Sequence, residues 1–335
     1  MVSTWPQHKQ PGLGQPLDYS FSLQRSRAAL TELITMLVGS LPGLAASSIL
    51  REQSPDRGLF GPDSVTWRVA REPLLLLGGG RALLLQVAHP LVGQAVVDHS
   101  DYEQRPYDRL LGTVRWLVLT TFGTTAEAEQ ASRRIRGIHE RVRGGLDRAN
   151  ATRHFDEGQA YAAANPALGR WVLATIVESI LVVYEAFVGP LPPADADRFV
   201  REWQAAGDLM GIQRACFWGS AAALHRYVTA QIESDTVLPV PASRLAARTV
   251  LRPPLPWPQL SPLPALAAFL TIGLLPEPLR RGYGLPWTGL QQRLHAAACR
   301  LLRLAHPYLP RKLRISPLYD IALARTLPAS QFRVQ

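Results

Sequence analysis

The segment from Thr124 to Gly145 constrains the fold most, because it spells out a helix nearly completely. Thr124 and Glu127 have the spacing of a capping box, in which each side chain satisfies an amide left orphaned at the helix start. Ala128, Ala131, Ile135, Ile138 and Val142 then recur at three and four residues, so one stripe faces a core, and Gly144 and Gly145 supply a stop. Similar spacing returns along the chain, notably over Asp108–Phe122 and Trp171–Val188. No run of alternating apolar and polar residues is bounded by Asn-Gly or Asp-Gly turns. The expected fold class is therefore all-α. Proline-rich stretches at 1–16, Pro190–Pro193, Pro239–Pro264 and Pro276–Pro286 read as loops between helices.

Composition narrows the class of protein. Apolar side chains make up 47% of 335 residues, enough to bury a real core and to exclude disorder as a whole. The formal charge is +10, carried by 34 Arg and only Lys9 and Lys312. The basic residues are scattered over nearly every helix rather than gathered in one stripe between aromatic platforms, which argues against nucleic acid. Anionic partners, lipid head groups included, stay open, and with them peripheral contact with a membrane. Cys216 and Cys299 are too few for a disulfide framework, residues 1–30 show no apolar leader segment, and a cytoplasmic location is the expectation. Arg81, Glu178, Glu185 and the prolines at Leu263–Pro276 interrupt the most apolar stretches, so no membrane span is expected.

Several residues invite a chemical reading. In the Asp108–Phe122 helix, Leu110, Leu111, Val114, Leu117 and Val118 form an apolar surface, while Arg109, Thr113, Trp116 and Thr120 make a separate mixed stripe of the kind that lines a pocket. His139 sits at the edge of the apolar stripe of its own helix; spacing alone leaves it open between a satisfied core or surface histidine and a ligand. Upstream, Leu74–Leu77 lead through Gly78-Gly79-Gly80 into Arg81–Val97, a buried helix that Pro90 should kink after His89. The triple glycine lacks the GxxxxGK[ST] pattern of a phosphate loop and fits close packing of helix on helix. His89, Asp98 and His99 have a spacing that a metal could use, though a structural histidine before a proline is the plainer reading. Glu178 and Glu185 lie on an apolar helix and need partners, for which interhelical arginines are the first choice. No Glu stands three residues before any of the eight histidines, and CxxCH is absent, so neither a ferritin-like di-iron pair nor covalent heme is written here.

Taken in order, the segments at 61–100 (GPDSVTWRVAREPLLLLGGGRALLLQVAHPLVGQAVVDHS), 109–113 (RLLGT), 122–123 (FG), 138–144 (IHERVRG) and 158–175 (GQAYAAANPALGRWVLAT) resemble the family of rubber oxygenase (latex clearing protein) and the MpaB-type oxygenases. A looser likeness continues through 274–287. The resemblance implies a single helical domain with a globin-like core over residues 55–320, flanked by an N-terminal extension and first helix (1–54) and a C-terminal tail (321–335). It implies non-covalent heme b, with iron held by His139 as axial ligand. Arg109 and Thr113 match the Arg and Thr of the family's distal Arg-x-x-Lys-Thr stretch, where they would serve as catalytic and cofactor-binding residues. Arg136 and Arg143, near His139, are candidates for the heme propionates. Two departures stand out: the Lys of that stretch, able to cap the iron in the rubber enzyme's closed state, is Gly112 here, and Leu173 stands where many members carry His.

The implied activity is an oxidoreductase, a dioxygenase that uses O2 to cleave a carbon–carbon double bond in a hydrophobic small molecule such as an isoprenoid chain. Two alternatives stay beside it: a heme protein with another oxidative activity, and a non-catalytic helical protein binding a lipid or other apolar ligand. A visible absorption spectrum separates the last from the first two.

Overall fold

The computed structural model describes residues 56–99, 106–252 and 262–326; the side chains of 106–110 and 262–264 are outside that description, as is the N-terminal extension 1–54. In chain order the elements are α1 (Val65–Ala70), α2 (Gly78–Ala88), α3 (Pro90–His99), α4 (Pro106–Phe122), α5 (Thr125–His139), β1 (Arg143–Gly145), β2 (Ala160–Ala162) and α6 (Pro166–Phe187). They continue as α7 (Pro193–Glu202), α8 (Gln204–Leu209), α9 (Ala221–Glu233), α10 (Pro241–Leu251), α11 (Pro262–Leu274), α12 (Glu277–Gly282), α13 (Gly289–Ala305), α14 (Arg311–Arg314) and α15 (Pro317–Thr326). The fold is all-α apart from the short β1–β2 pair, which runs antiparallel with Gly144 opposite Tyr161.

Proline punctuates this architecture in a way that differs from the sequence reading. Pro193, Pro241 and Pro262, read as loop residues, each open a helix, as do Pro90, Pro106, Pro166 and Pro317. The first helical residue has no intrahelical use for its N–H, and the ring already holds a helical φ. The stretches 239–264 and 276–286 therefore contain α10 and α12 as well as turns.

α6 is the central helix. Trp171, Leu173, Ala174, Val177, Leu181, Val183 and Phe187 are buried along it, with α2, α9 and α13 packed around. Its 22 residues would suffice by length and composition to cross a membrane, but most of it is enclosed by protein, and Glu178 lies in its middle. The triple glycine brings α2 against it: a Cβ on Gly78 would stand 2.8 Å from the Val183 side chain, and one on Gly80 would stand 2.8 Å from Thr271 of α11.

Close approach lets one polar joint form inside the core. Arg81 of α2 is paired with Glu178 of α6; the two side chains are 3% and 5% exposed. The guanidinium also donates to the Ser179 hydroxyl at 2.7 Å and, through Nε, to the Leu274 carbonyl at 2.9 Å. Burial alone would raise the Glu178 carboxyl; Arg81 and a contact from His225 of α9 outweigh it and hold the carboxyl below the usual carboxylate range. Glu185, two turns further on, is exposed; its carbonyl accepts from Arg303, and its charge adds to the rise of the His225 imidazole.

Between α2 and α3 the chain turns through 103°. The sequence predicts a kink; the break is sharper because His89 is extended (φ −72°, ψ 121°), as the residue before a proline is pushed to be. His89 is 6% exposed, its ring lies 5.1 Å from that of Phe155, and Nδ1 has no hydrogen-bond partner among the described residues. Burial lowers its pKa to about 4. Below the bend, Gln94 (1% exposed) bonds Asp98 at 2.8 Å, Asp147 at 3.0 Å and Asn150 at 2.5 Å, and Asn150 accepts from the Ala242 amide at the start of α10.

Two outcomes follow for stability. Arg81→Met or Glu178→Gln alone should lower the unfolding free energy in urea by about 3–5 kcal/mol, since each leaves a buried charge alone, while the double substitution to apolar residues should recover most of it. His89 is neutral in the fold but takes up a proton in the unfolded chain below its ordinary value of 6.5, so stability is full above that pH. Stability should fall as the pH drops toward about 4, by roughly 3 kcal/mol in all, and His89→Leu should abolish that part of the slope.

Candidate functional site

The stop and start between α4 and α5 make a hairpin. Gly123 ends the first helix, and Thr124 caps the second with the reciprocal pair foreseen from sequence: its hydroxyl accepts from the Glu127 amide at 3.1 Å, and Glu127 accepts from the Thr124 amide at 2.8 Å. Ala128 is fully buried, and Ala131, Ile135 and Val142 pack on the core, but Ile138 is 45% exposed and leaves the stripe. α5 also ends earlier than its apolar pattern suggests, at His139. Gly144 and Gly145 serve strand β1 instead of a helix stop; a Cβ on Gly144 would lie 2.3 Å from the Tyr161 hydroxyl, which itself bonds Asp98.

The mixed stripe of α4 faces α5. Trp116 is 6% exposed and donates through Nε1 to the Ser132 hydroxyl at 3.0 Å, locking the two helices in register; Thr120 is fully buried beside it. Toward the open end of the hairpin, Arg109 and His139 each stand seven residues from that link, about 10 Å along their helices. The backbone thus brings the positions of Arg109, Thr113, Arg136 and His139 to one end of one hairpin. Thr113 and His139 are half-buried, and the side chain of Arg109 is outside the described residues. Gly112 is exposed, and a Cβ built on it meets nothing within 4 Å among the described residues.

The two further arginines have structural duties. Arg136 donates through Nη1 to the Leu209 carbonyl at the end of α8. Arg143 has left the helix for β1, is exposed, donates through Nε to the Glu140 carbonyl at 2.9 Å, and its own carbonyl accepts from His99 at 3.0 Å. Each keeps other guanidinium N–H groups. His99 and Asp98 are thereby taken up by β1 and Tyr161, and among the described residues no group of three or more His, Cys, Asp or Glu could hold a metal ion. Cys216 packs partly buried against the core.

A cleft of about 360 Å³ lies elsewhere, at the junction of α6, α9 and α11, with Arg81 and Glu178 at its floor and Leu274, Val228 and Pro278 on its walls. His225 at its mouth approaches Glu178 at 3.4 Å, and that bond raises the imidazole pKa. Sequence reasoning passed over His225; the signal available was a glutamate on an apolar helix that had to have partners. The floor of this cleft is an internally neutralised ion pair, which favours a structural part.

Residues 67–304 match the family described as ER-bound oxygenase mpaB/B′/rubber oxygenase, catalytic domain. The chain is also similar to the uncharacterized protein Mb2261 of Mycobacterium bovis and the uncharacterized protein Rv2237 of Mycobacterium tuberculosis. Each is 24% identical over 235 residues, which span 69% of this chain and 88% of the relative. No solved structure matches.

Proposed function

The chain belongs to the mpaB/rubber oxygenase catalytic-domain family and is an oxygenase, and from that premise we propose that it works with heme b bound at the open end of the α4–α5 hairpin. What supports this reading is His139, half-buried at the last position of α5, on the helix that the Trp116–Ser132 bond ties to the α4 stretch carrying Arg109, Gly112 and Thr113. The donor chemistry fits: a heme brings four nitrogens of its own and asks one imidazole of the protein, so a single histidine is sufficient. When bound, heme supplies an iron able to activate O2.

The chain's own residues would then divide the work. His139 holds the cofactor and, through its second ring nitrogen, takes an orientation from its surroundings. Thr113 and Arg109 present hydroxyl and guanidinium donors to charge developing on oxygen, where fixed donors act without solvent reorganisation. Arg136 and Arg143 each keep guanidinium N–H groups for carboxylates at the cofactor's edge. The substrate is a hydrophobic, alkene-bearing isoprenoid or lipid-like molecule, cleaved at a double bond. Gly112 in place of the family's Lys specifically favours a second reading, a different oxidation at the same site, because no amine at that position can close it.

Purified protein supplied with hemin should show a Soret band, and His139→Ala should remove or strongly shift it; a colourless, folded wild type after hemin titration would sink the heme reading. Gly112→Lys should leave the fold intact and gain up to about 0.8 kcal/mol in thermal stability, since an exposed helical glycine is replaced by a good helix former. In the hemin-loaded variant the new amine should shift the Soret band; an unchanged band would place residue 112 away from the iron.

A further inference from the structure

α13 is built with two apolar faces, and the fold uses one. Ala298, Cys299 and Leu302 pack toward Val183, Phe187 and Leu270, with His295 buried among them and donating to the Leu270 carbonyl at 3.2 Å. On the opposite side Leu290, Leu294, Leu301 and Leu304 are 66%, 53%, 68% and 71% exposed. At 3.6 residues per turn those four leucines fall within an arc of about 80°. The surface continues through Tyr308 and Leu313, so six of the nine large exposed hydrophobics among the described residues lie between 290 and 313. Single exposed leucines are ordinary; a contiguous stripe marks a binding surface.

The charge around the stripe is as one-sided. Residues 278–319 contain seven Arg and Lys312 with no Asp or Glu, a formal +8 out of the chain's +10. Arg281 reaches back to Glu277 at 3.2 Å and Arg311 is held by Asp320 at 2.8 and 2.6 Å. Arg293 and Arg300 are exposed, have no acidic partner among the described residues, and border a depression of about 490 Å³ with Leu301 and Leu304.

We propose that this face, α13 with the turn into α14, docks on the surface of an anionic lipid bilayer. The leucines enter the boundary between head groups and acyl chains, while Arg293, Arg300 and Lys312 extend to lipid phosphates and carboxylates. Charge complementarity selects this occupant. With Glu277 and Asp320, the partners of Arg281 and Arg311, counted in, residues 277–320 still carry a formal +6; a second copy would bring like charge against it, which is repulsive across an interface. Residues 1–55 carry four basic and three acidic side chains and so offer no complement. The inference does not rest on the heme reading, and it places the enzyme where apolar molecules dissolve.

Full-length protein should float with vesicles of phosphatidylcholine and phosphatidylserine, bind phosphatidylcholine alone far more weakly, and release with added salt. Arg293→Gln with Arg300→Gln should lower partitioning about 20-fold, near five-fold per charge. Leu294→Ser with Leu301→Ser should lower it about 100-fold, and all these exposed positions should leave the circular dichroism spectrum unchanged. Failure of the wild type to bind anionic vesicles, or binding that survives both pairs of substitutions, overturns the proposal. So does a dimer in sedimentation velocity that the leucine pair dissociates while vesicle binding is absent, which would assign the face to a second copy.

Discussion

The buried pair between Arg81 and Glu178 is the interaction on which the helical arrangement depends. Two charges removed from water must find each other and have their remaining donors and acceptors met, or they destabilise the core. Here they do: the guanidinium is shared among the Glu178 carboxylate, the Ser179 hydroxyl and the Leu274 carbonyl. Those partners lie on α6 and at the end of α11, while Arg81 comes from α2, so one side chain sets the mutual position of three helices. The geometry is reachable only because Gly78 and Gly80 let α2 approach to distances that a Cβ would forbid. Close backbone packing and a buried ion pair are thus one device.

From that joint the chain is steered to the candidate site. α2, held against α6, ends at His89, and the 103° turn sends α3 across the molecule toward β1, where Asp98 meets Tyr161 and His99 meets the Arg143 carbonyl. Those contacts anchor the strand that follows α5 and so fix the end of the helix at which His139 stands. The Trp116–Ser132 bond sets the register of α4 against α5. In the proposed role, His139 would gain from being anchored on both sides in this way.

Much of this was legible in the sequence, and the failures have physical causes. The capping box, the triple glycine as a packing contact, the break after His89 and the need of Glu178 for an arginine all rest on local stereochemistry or on the cost of burying a charge, which a sequence displays directly. The end of α5 was misread because Gly144-Gly145 has two uses, a helix stop and a strand beside a large ring, and only the partner Tyr161, far along the chain, decides between them. Ile138 fits a periodic stripe but stands at the terminus, where the core no longer covers it. Proline-rich stretches hid α10 and α12, since a proline that opens a helix looks like one that prevents it. For the candidate site the sequence offers positions, not a register. The register of α4 against α5 depends on a tryptophan–serine bond that no periodicity reveals.

The same limit explains why residue 112 matters more than its neighbours. Arg109, Thr113 and His139 sit on a hairpin whose packing is settled by Trp116 and the core, so their placement follows from the fold. Gly112 does not: among the described residues nothing lies within reach of a Cβ there and nothing in the packing demands a glycine. A position free of structural constraint at the mouth of a candidate oxygen site is one where side-chain choice can answer to chemistry alone. In the proposed site residue 112 would offer no amine, and exclusion of water would fall to the apolar surroundings and to the substrate itself. An apolar substrate is suited to that task, because its arrival supplies the dry surroundings in which fixed hydrogen-bond donors act most strongly.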